Sequence, residues 1–369
     1  MISAAMEAKQ VNGGNGDLTV VVDGTWQRRG HVSHHGVVAA TSISTGKVLD
    51  VQVLSNYCRG CNSAVEGHKC VKNHEGKSGS MEAEGAKEIF QRSLGDRGVR
   101  YVKYLGDGDS KAYKTVCDSK PYGDDIQVEK LECVGHIQKR MGTKLRKIKK
   151  DMKGQKLSDG KTLGGTGRLT ETEIDKMQTY YGLAIRRNTE DVEKMKTAVW
   201  ATFFHKASTN GKPQHQLCPK GPDSWCGYQK AAANAAEYDH KHYLPFTVME
   251  TIKPIFRELS DVNLLKKCLH GHTQNQNESF NNCIWERVPK TTFVGHKIIC
   301  VGVHDAVITF NNGALHRLLV FKEMGLKSGA NTETALRRID NDRIYHAQRA
   351  AQASTKEARV KRRNAEKKK

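Results

Sequence analysis

The stretch "LTVVVDGTWQRRG" (residues 18–30) decides how the chain is read. It opens as a β-branched run, which reads as a buried strand. Yet its sixth residue is an acid, Asp23. A carboxylate in a buried strand is costly unless it is paired, hydrogen-bonded or bound to a metal. A second acid repeats the situation: Asp107 follows the apolar run of "YVKYLGDGDS" (101–110), with Asp109 a close rival for the same role. Asp107 is preferred because it lies nearer the strand end. Taken singly, each acid could equally be a turn or capping residue.

Working outward, "HGVVAATSI" (35–43) and "GKVLDVQVLS" (46–55) read as two more strands of an antiparallel meander. "SMEAEGAKEIFQRSLGDRG" (80–98) reads as a helix with Ser80 at its N-cap. "VRYVKYLG" (99–106) is a fourth strand and "IQVEKLECVGH" (126–136) holds a fifth. Helical patterns follow over 170–188 and 189–207, each opened by a Thr that can cap it, then over 228–240, 245–267 and about 274–286. Three strands, helix, strand, strand, then helices is the order of an α/β ribonuclease-H-like fold, a mixed five-stranded sheet flanked by helices. The expected organisation is a disordered 1–17, a first core segment 18–150, a mainly helical insertion 151–262, a last core segment 263–330 and a basic helical or disordered tail 331–369.

A sheet of this kind presents acids at strand ends, and a third acid from a late helix completes the set. Glu278, in the amide-rich run "GHTQNQNESFNN" (271–282), is the candidate. Phe280, Ile284 and Trp285 are expected to face the sheet. Gln274, Asn275, Asn277 and Asn281 are expected to orient Glu278 or to contact the DNA backbone. Three carboxylates form a hard-oxygen set suited to Mg²⁺ or Mn²⁺.

"VVVDGTWQRRGHVSHHGVVAA" (20–40), "YVKYLGDGDSKAY" (101–113), "CVGH" (133–136) and "TQNQNESFNNCIW" (273–285) together resemble a Mutator-like element transposase of the eukaryotic DDE type. The resemblance runs from about residue 18 to 325. It implies that Asp23, Asp107 and Glu278 are the three catalytic acids and that Cys133 and His136 are the Cys-x2-His signature. Their spacings, 84 and 171 residues, leave room for the helical insertion before the last acid. The implied activity is metal-dependent cleavage and strand transfer at transposon ends, by the transposase or a domesticated derivative. Implied partners are double-stranded DNA, as transposon ends and target, and a second copy in a homodimer or higher oligomer. Family members carry a DNA-binding region ahead of the core. About 17 residues precede the first strand here, so little of such a region is expected. The rival readings are a zinc-stabilised, non-catalytic DNA-binding protein derived from a transposase, and a structure-selective nuclease on the same fold.

Ten cysteines, several at ligand spacing beside His, read as metal sites rather than a disulfide framework. In the loop 58–80, Cys58, Cys61, Cys70 and His74 make a three-Cys, one-His zinc set, with His68 the substitute for His74. Cys133 and His136 would need His240 and His242 to close a second site. His205, His215, Cys218 and Cys226 offer a third.

Lys and Arg total 60 against 40 Asp and Glu, a net charge of +20, which favours a polyanionic partner. Residues 137–156 concentrate nine of these cations and the last fourteen residues eight. Lys139, Arg140, Lys144, Arg146, Lys147, Lys149 and Lys150 are the candidate phosphate contacts, and Trp26 either stacks on a base or packs in the core. No apolar leader and no run of eighteen apolar residues is present, so no membrane association is expected. The setting expected is reducing and nuclear.

Overall fold

The structure, a computed structural model, describes residues 1–28, 32–107, 111–222, 224–353, 355 and 358. Asp109 and the basic end 361–369 lie outside the described residues. Along the chain run α1 (Ile2–Val11), β1 (Asp17–Trp26), β2 (His35–Ser42), β3 (Val48–Ser55), α2 (Arg59–Asn62), α3 (Met81–Arg97), β4 (Arg100–Gly106), α4 (Lys111–Asp118), β5 (Glu129–Glu132) and α5 (Val134–Asp151). Then follow α6 (Glu171–Arg186), α7 (Val192–Ala207), α8 (Gly227–Ala233), α9 (Phe246–Leu259), α10 (Val262–Lys266), α11 (Asn275–Arg287), α12 (His296–Asn312), α13 (Arg317–Glu323) and α14 (Ala330–Ala353). The strands form one mixed sheet in the order β3-β2-β1-β4-β5, the ribonuclease-H-like arrangement expected from the element order. β2 and β3 are antiparallel, and β4 runs parallel to both β1 and β5.

The chain divides into two compact units, and β1 contributes residues to both. The first holds 1–16, 24–99 and 276–369. Here every residue of β2 is buried, because helices cover both faces. Val37 and Ala39 pack with Phe280 and Ile284 of α11 and with Ile299 and Val303 of α12. Val38 points the other way, beneath α3, as the two-residue period of a strand requires. Gly85 makes that contact: a Cβ there would lie 2.6 Å from Val38 Cγ2. Buried Asp50 is held by Arg92 and Arg97, each at 2.9 Å. Residues 1–17, expected to be disordered, instead carry α1, which buries Ala4, Ala5 and Ala8.

The second unit holds 17–23 and 100–275. Its helices share one apolar core, built from Ile137, Met141 and Leu145 of α5, Met177 and Tyr181 of α6, Val199 and Phe203 of α7, and Ile252 and Phe256 of α9. The helical layer therefore begins at α5, before the expected boundary at 151. Thr170 caps α6 by accepting from Glu173 N–H at 3.2 Å. Thr189 does not cap α7. Asp191 does, accepting from the N–H groups of Glu193 and Lys194. The helix expected over 245–267 breaks in two, because Asp261 accepts from Asn263 and Leu264 N–H and starts α10 afresh. The helix expected over 228–240 ends at Ala233.

Candidate functional site

β1 and β4 lie side by side and parallel, with Val20 paired to Tyr104 and Val21 to Leu105. Asp23, still within β1, and Asp107, just past the end of β4, each stand two residues beyond that last pair. Asp23 is half-buried and Asp107 exposed. His136, in the first turn of α5, brings its Nδ1 within 3.3 Å of Asp107 Oδ1.

The segment 267–274 is fastened to β5, α5 and β1. Glu132 N–H donates to Lys267 O at 3.0 Å and Val134 N–H to His272 O at 3.1 Å. The His270 ring lies 3.0 Å from Glu132 O. Gln274 Nε2 donates to Val22 O at 3.1 Å, the carbonyl immediately before Asp23. Gln274, expected to be a DNA contact, is therefore 3% exposed, with its amide committed to the strand. Asn277 is 0% exposed. It donates to Ala39 O at 3.2 Å and accepts from Thr41 Oγ1. The polar run thus conceals two amides that bind the sheet backbone, at positions expected to contact DNA. Asn275 remains exposed, as does Glu278 in the first turn of α11. Trp285 donates to Thr25 Oγ1 at 2.8 Å and Trp26 to Ser78 O at 2.9 Å, so both indoles are engaged in the fold.

Two groups of Cys and His converge among the described residues. In the first, Cys58, Cys61, His68 and Cys70 bring their ligand atoms within 4.8 Å of one another. His68 Nε2 is 3.2 Å from Cys61 Sγ, while its Nδ1 donates to Val65 O at 2.7 Å, which fixes the tautomer. Gly60 allows the approach, since a Cβ there would sit 2.4 Å from the His68 ring. Backbone N–H groups of Val71, Cys61 and Gly60 hold the Cys58 thiol down at about 6. His74 takes no part. Its Nε2 bonds Ser80 Oγ at 2.9 Å, and its N–H donates to Ser55 O on β3. The fourth member is thus His68, because the loop folds back on itself before reaching the sheet.

The second group is His205, Cys218, His215 and Cys226. His215 Nδ1 lies 3.4 Å from Cys226 Sγ and 3.7 Å from Cys218 Sγ. His205 Nδ1 lies 3.8 Å from Cys218 Sγ. The Cys226 thiol is pushed down to about 4, first by its hydrogen bond with Cys218 and then by His205 and the Gln229 backbone. Between Ala207 and Leu244 the only buried residues described are Ser208, His215, Cys218, Ser224, Cys226 and His240. No aliphatic or aromatic side chain described in that span is buried, so the group itself is the core of the segment. The set of Cys133, His136, His240 and His242 does not form. His136 is at Asp107, His240 is beside His215 at 2.7 Å, and His242 is exposed.

The basic helix α5 is partly neutralised by its neighbours. Arg140 pairs with Glu132, Lys144 with Glu258, Arg146 with Glu171 and Asp175, and Lys149 with Glu171. Among the described residues Lys139, Lys147 and Lys150 carry no such ion pair. No helix among the described residues is long and apolar enough to cross a membrane.

The sheet is ribonuclease-H-like, with one acid in its inner strand β1 and another just past the parallel inner strand β4. A family model described as Mutator-like transposase matches residues 2–226, and the chain belongs to that family. The matched span includes Asp23, Asp107 and both Cys/His groups, and ends before Glu278. No curated protein matches the chain.

Proposed function

We propose that this chain cleaves DNA at transposon ends and joins those ends to target DNA, using Asp23, Asp107 and Glu278 as its metal-binding acids. The observation that supports the reading is the parallel register of β1 and β4, after whose last pair, Val21–Leu105, Asp23 and Asp107 each follow by two residues. Gln274 supports Glu278 as the third acid: it ties the residues just before α11 to the carbonyl next to Asp23, one helical turn ahead of Glu278. The donor set is all carboxylate, which fits Mg²⁺ or Mn²⁺. Such ions would supply activation of a water or 3′-hydroxyl and stabilisation of the leaving oxygen. His136 would orient Asp107, and Lys139, Lys147, Lys150 and Asn275 would meet phosphates on the flank. No side chain is needed as a covalent nucleophile.

Both Cys/His groups would hold structural Zn²⁺, three sulfurs and one nitrogen in the first, two of each in the second. For the second group the support is physical. The span 208–243 has no apolar core among its described residues, and metal binding would supply the free energy that orders it. Two transposon ends require a dimer or higher oligomer, acting in the nucleus.

The purified 369-residue chain is given supercoiled plasmid carrying the element's ends, with Mn²⁺. Nicked and joined products are expected. Cutting without joining would leave a nuclease, and binding with neither would leave a DNA-binding derivative. Full cleavage by Asp23→Asn would sink the assignment.

A further inference from the structure

We infer that His240 and Asn210 form a hydrogen-bond relay that presets His215 as a metal ligand through Nδ1. The inference rests on the proposed zinc at the second Cys/His group.

The proton positions follow one from another. Asn210 Oδ1 accepts from the His240 backbone N–H at 2.8 Å, so that atom is the amide oxygen and not the nitrogen. Asn210 Nδ2, on its other side, donates to Asp239 at 2.8 Å, which agrees. The His240 ring places its Nδ1 2.7 Å from the same Oδ1. Facing an acceptor, His240 Nδ1 must carry a proton. A neutral imidazole with a protonated Nδ1 has a lone pair on Nε2. That lone pair meets His215 Nε2 at 2.7 Å. His215 must therefore be protonated on Nε2, and its own lone pair is left on Nδ1. Nδ1 is the atom that faces the sulfurs of Cys226 and Cys218.

Were both rings neutral and free to choose, either His215 nitrogen could carry the proton, and only one choice leaves a ligand. Tyr228 stacks on His215 with ring centroids 4.4 Å apart and 14° between planes, so the ring cannot flip out without giving up that face. His240 is thus a positioning residue, not a ligand. Partners that fix a ligand's tautomer typically matter by about 10–100-fold in metal affinity.

The test is zinc affinity of the 369-residue chain, by competition with a coloured chelator, together with the visible absorption of the Co²⁺-loaded protein. The first Cys/His group serves as an internal reference. His240→Leu removes both hydrogen bonds, and zinc should bind about 10–100-fold more weakly at one of two sites. The Co²⁺ bands of a two-sulfur, two-nitrogen tetrahedral site should persist at saturating metal. His240→Gln can still accept from His215 Nε2–H and donate to Asn210, and should recover most of the affinity. Asn210→Ala, at an exposed position, should weaken the same site without endangering the fold. Equal affinity for wild type, His240→Leu and Asn210→Ala would overturn the relay, as would a Gln variant as weak as Leu. Cys218→Ser separates the two levels. If it binds as much zinc as wild type, the zinc reading itself fails and the relay falls with it.

Discussion

Asp23 and Asp107 each lie two residues past the Val21–Leu105 pair that ends the parallel register of β1 and β4. Two carboxylates so arranged repel when no cation lies between them. Asp23→Asn or Asp107→Asn should therefore leave the melting temperature unchanged or raise it, by about 1 kcal/mol at most. Mg²⁺ should raise the melting temperature of wild type and do less for either variant, because only the native pair binds the ion preferentially when folded. Marked destabilisation by both Asn variants would indicate structural acids.

Asn277 ties α11 to β2 from a fully buried position. Asn277→Ala would strip partners from Ala39 O and Thr41 Oγ1, at a cost of about 2–3 kcal/mol. Gln274→Ala, which removes a single hydrogen bond, should cost about 1 kcal/mol. Urea denaturation measures both. An Asn277→Ala protein of wild-type stability that binds DNA poorly would restore the DNA-contact role.

Much of this site is visible in the sequence, for local reasons. An acid in or just after an apolar run stands out in the sequence by itself, as Asp23 and Asp107 do. Phe280 and Ile284 keep helical spacing and face the core as expected. What stays hidden depends on tertiary structure. Gln274 and Asn277 look solvent-facing in a polar run, and only the sheet beside them reveals their burial. Cys58-x2-Cys61 is legible, but choosing His68 over His74 requires the path of the loop. Pairing His240 with Cys133 and His136 fails because spacing cannot tell which of two histidine clusters a chain will reach.

Zinc content should be two ions per chain by elemental analysis. Cys58→Ser or His68→Ala should remove one and Cys218→Ser the other, while His74→Ala should leave both. Loss of an ion in His74→Ala would return that residue to the first group. Chelation should expose the span 208–243 to protease first, since its buried residues are chiefly ligands and their neighbours.

Lys139, Lys147 and Lys150 are the α5 cations without an acid partner among the described residues. Replacing each with Ala should weaken DNA binding whatever the sequence. It should also lower the dependence of log K on log salt by about 0.9 for each phosphate the variant no longer neutralises. Arg146→Ala should act differently. It gives up pairs with Glu171 and Asp175 at the surface of α6, so it should cost at most about 1 kcal/mol of stability. It should leave the salt slope nearly unchanged. Equal slopes for all four variants would deny the division.

His35 supplies a pH signature. It is 0% exposed, with its ring stacked 5.7 Å from Phe293. Burial, with His296 and His34 adding to it, pushes its pKa down to about 4. In the unfolded chain the ordinary value is about 6.5. Between these values the unfolded chain holds a proton that the folded chain refuses, so stability rises with pH there. The contribution is complete above about pH 6.5 and is lost as pH falls toward 4, to the extent of ~3 kcal/mol. Metal release in acid would steepen the curve as well, but equally in a variant that leaves the Cys/His groups intact. His35→Leu should therefore lose less stability than wild type between pH 6.5 and 4, by ~3 kcal/mol in urea titrations at stepped pH. Parallel pH profiles for the two proteins would assign the acid limb to other groups, the metal ligands first.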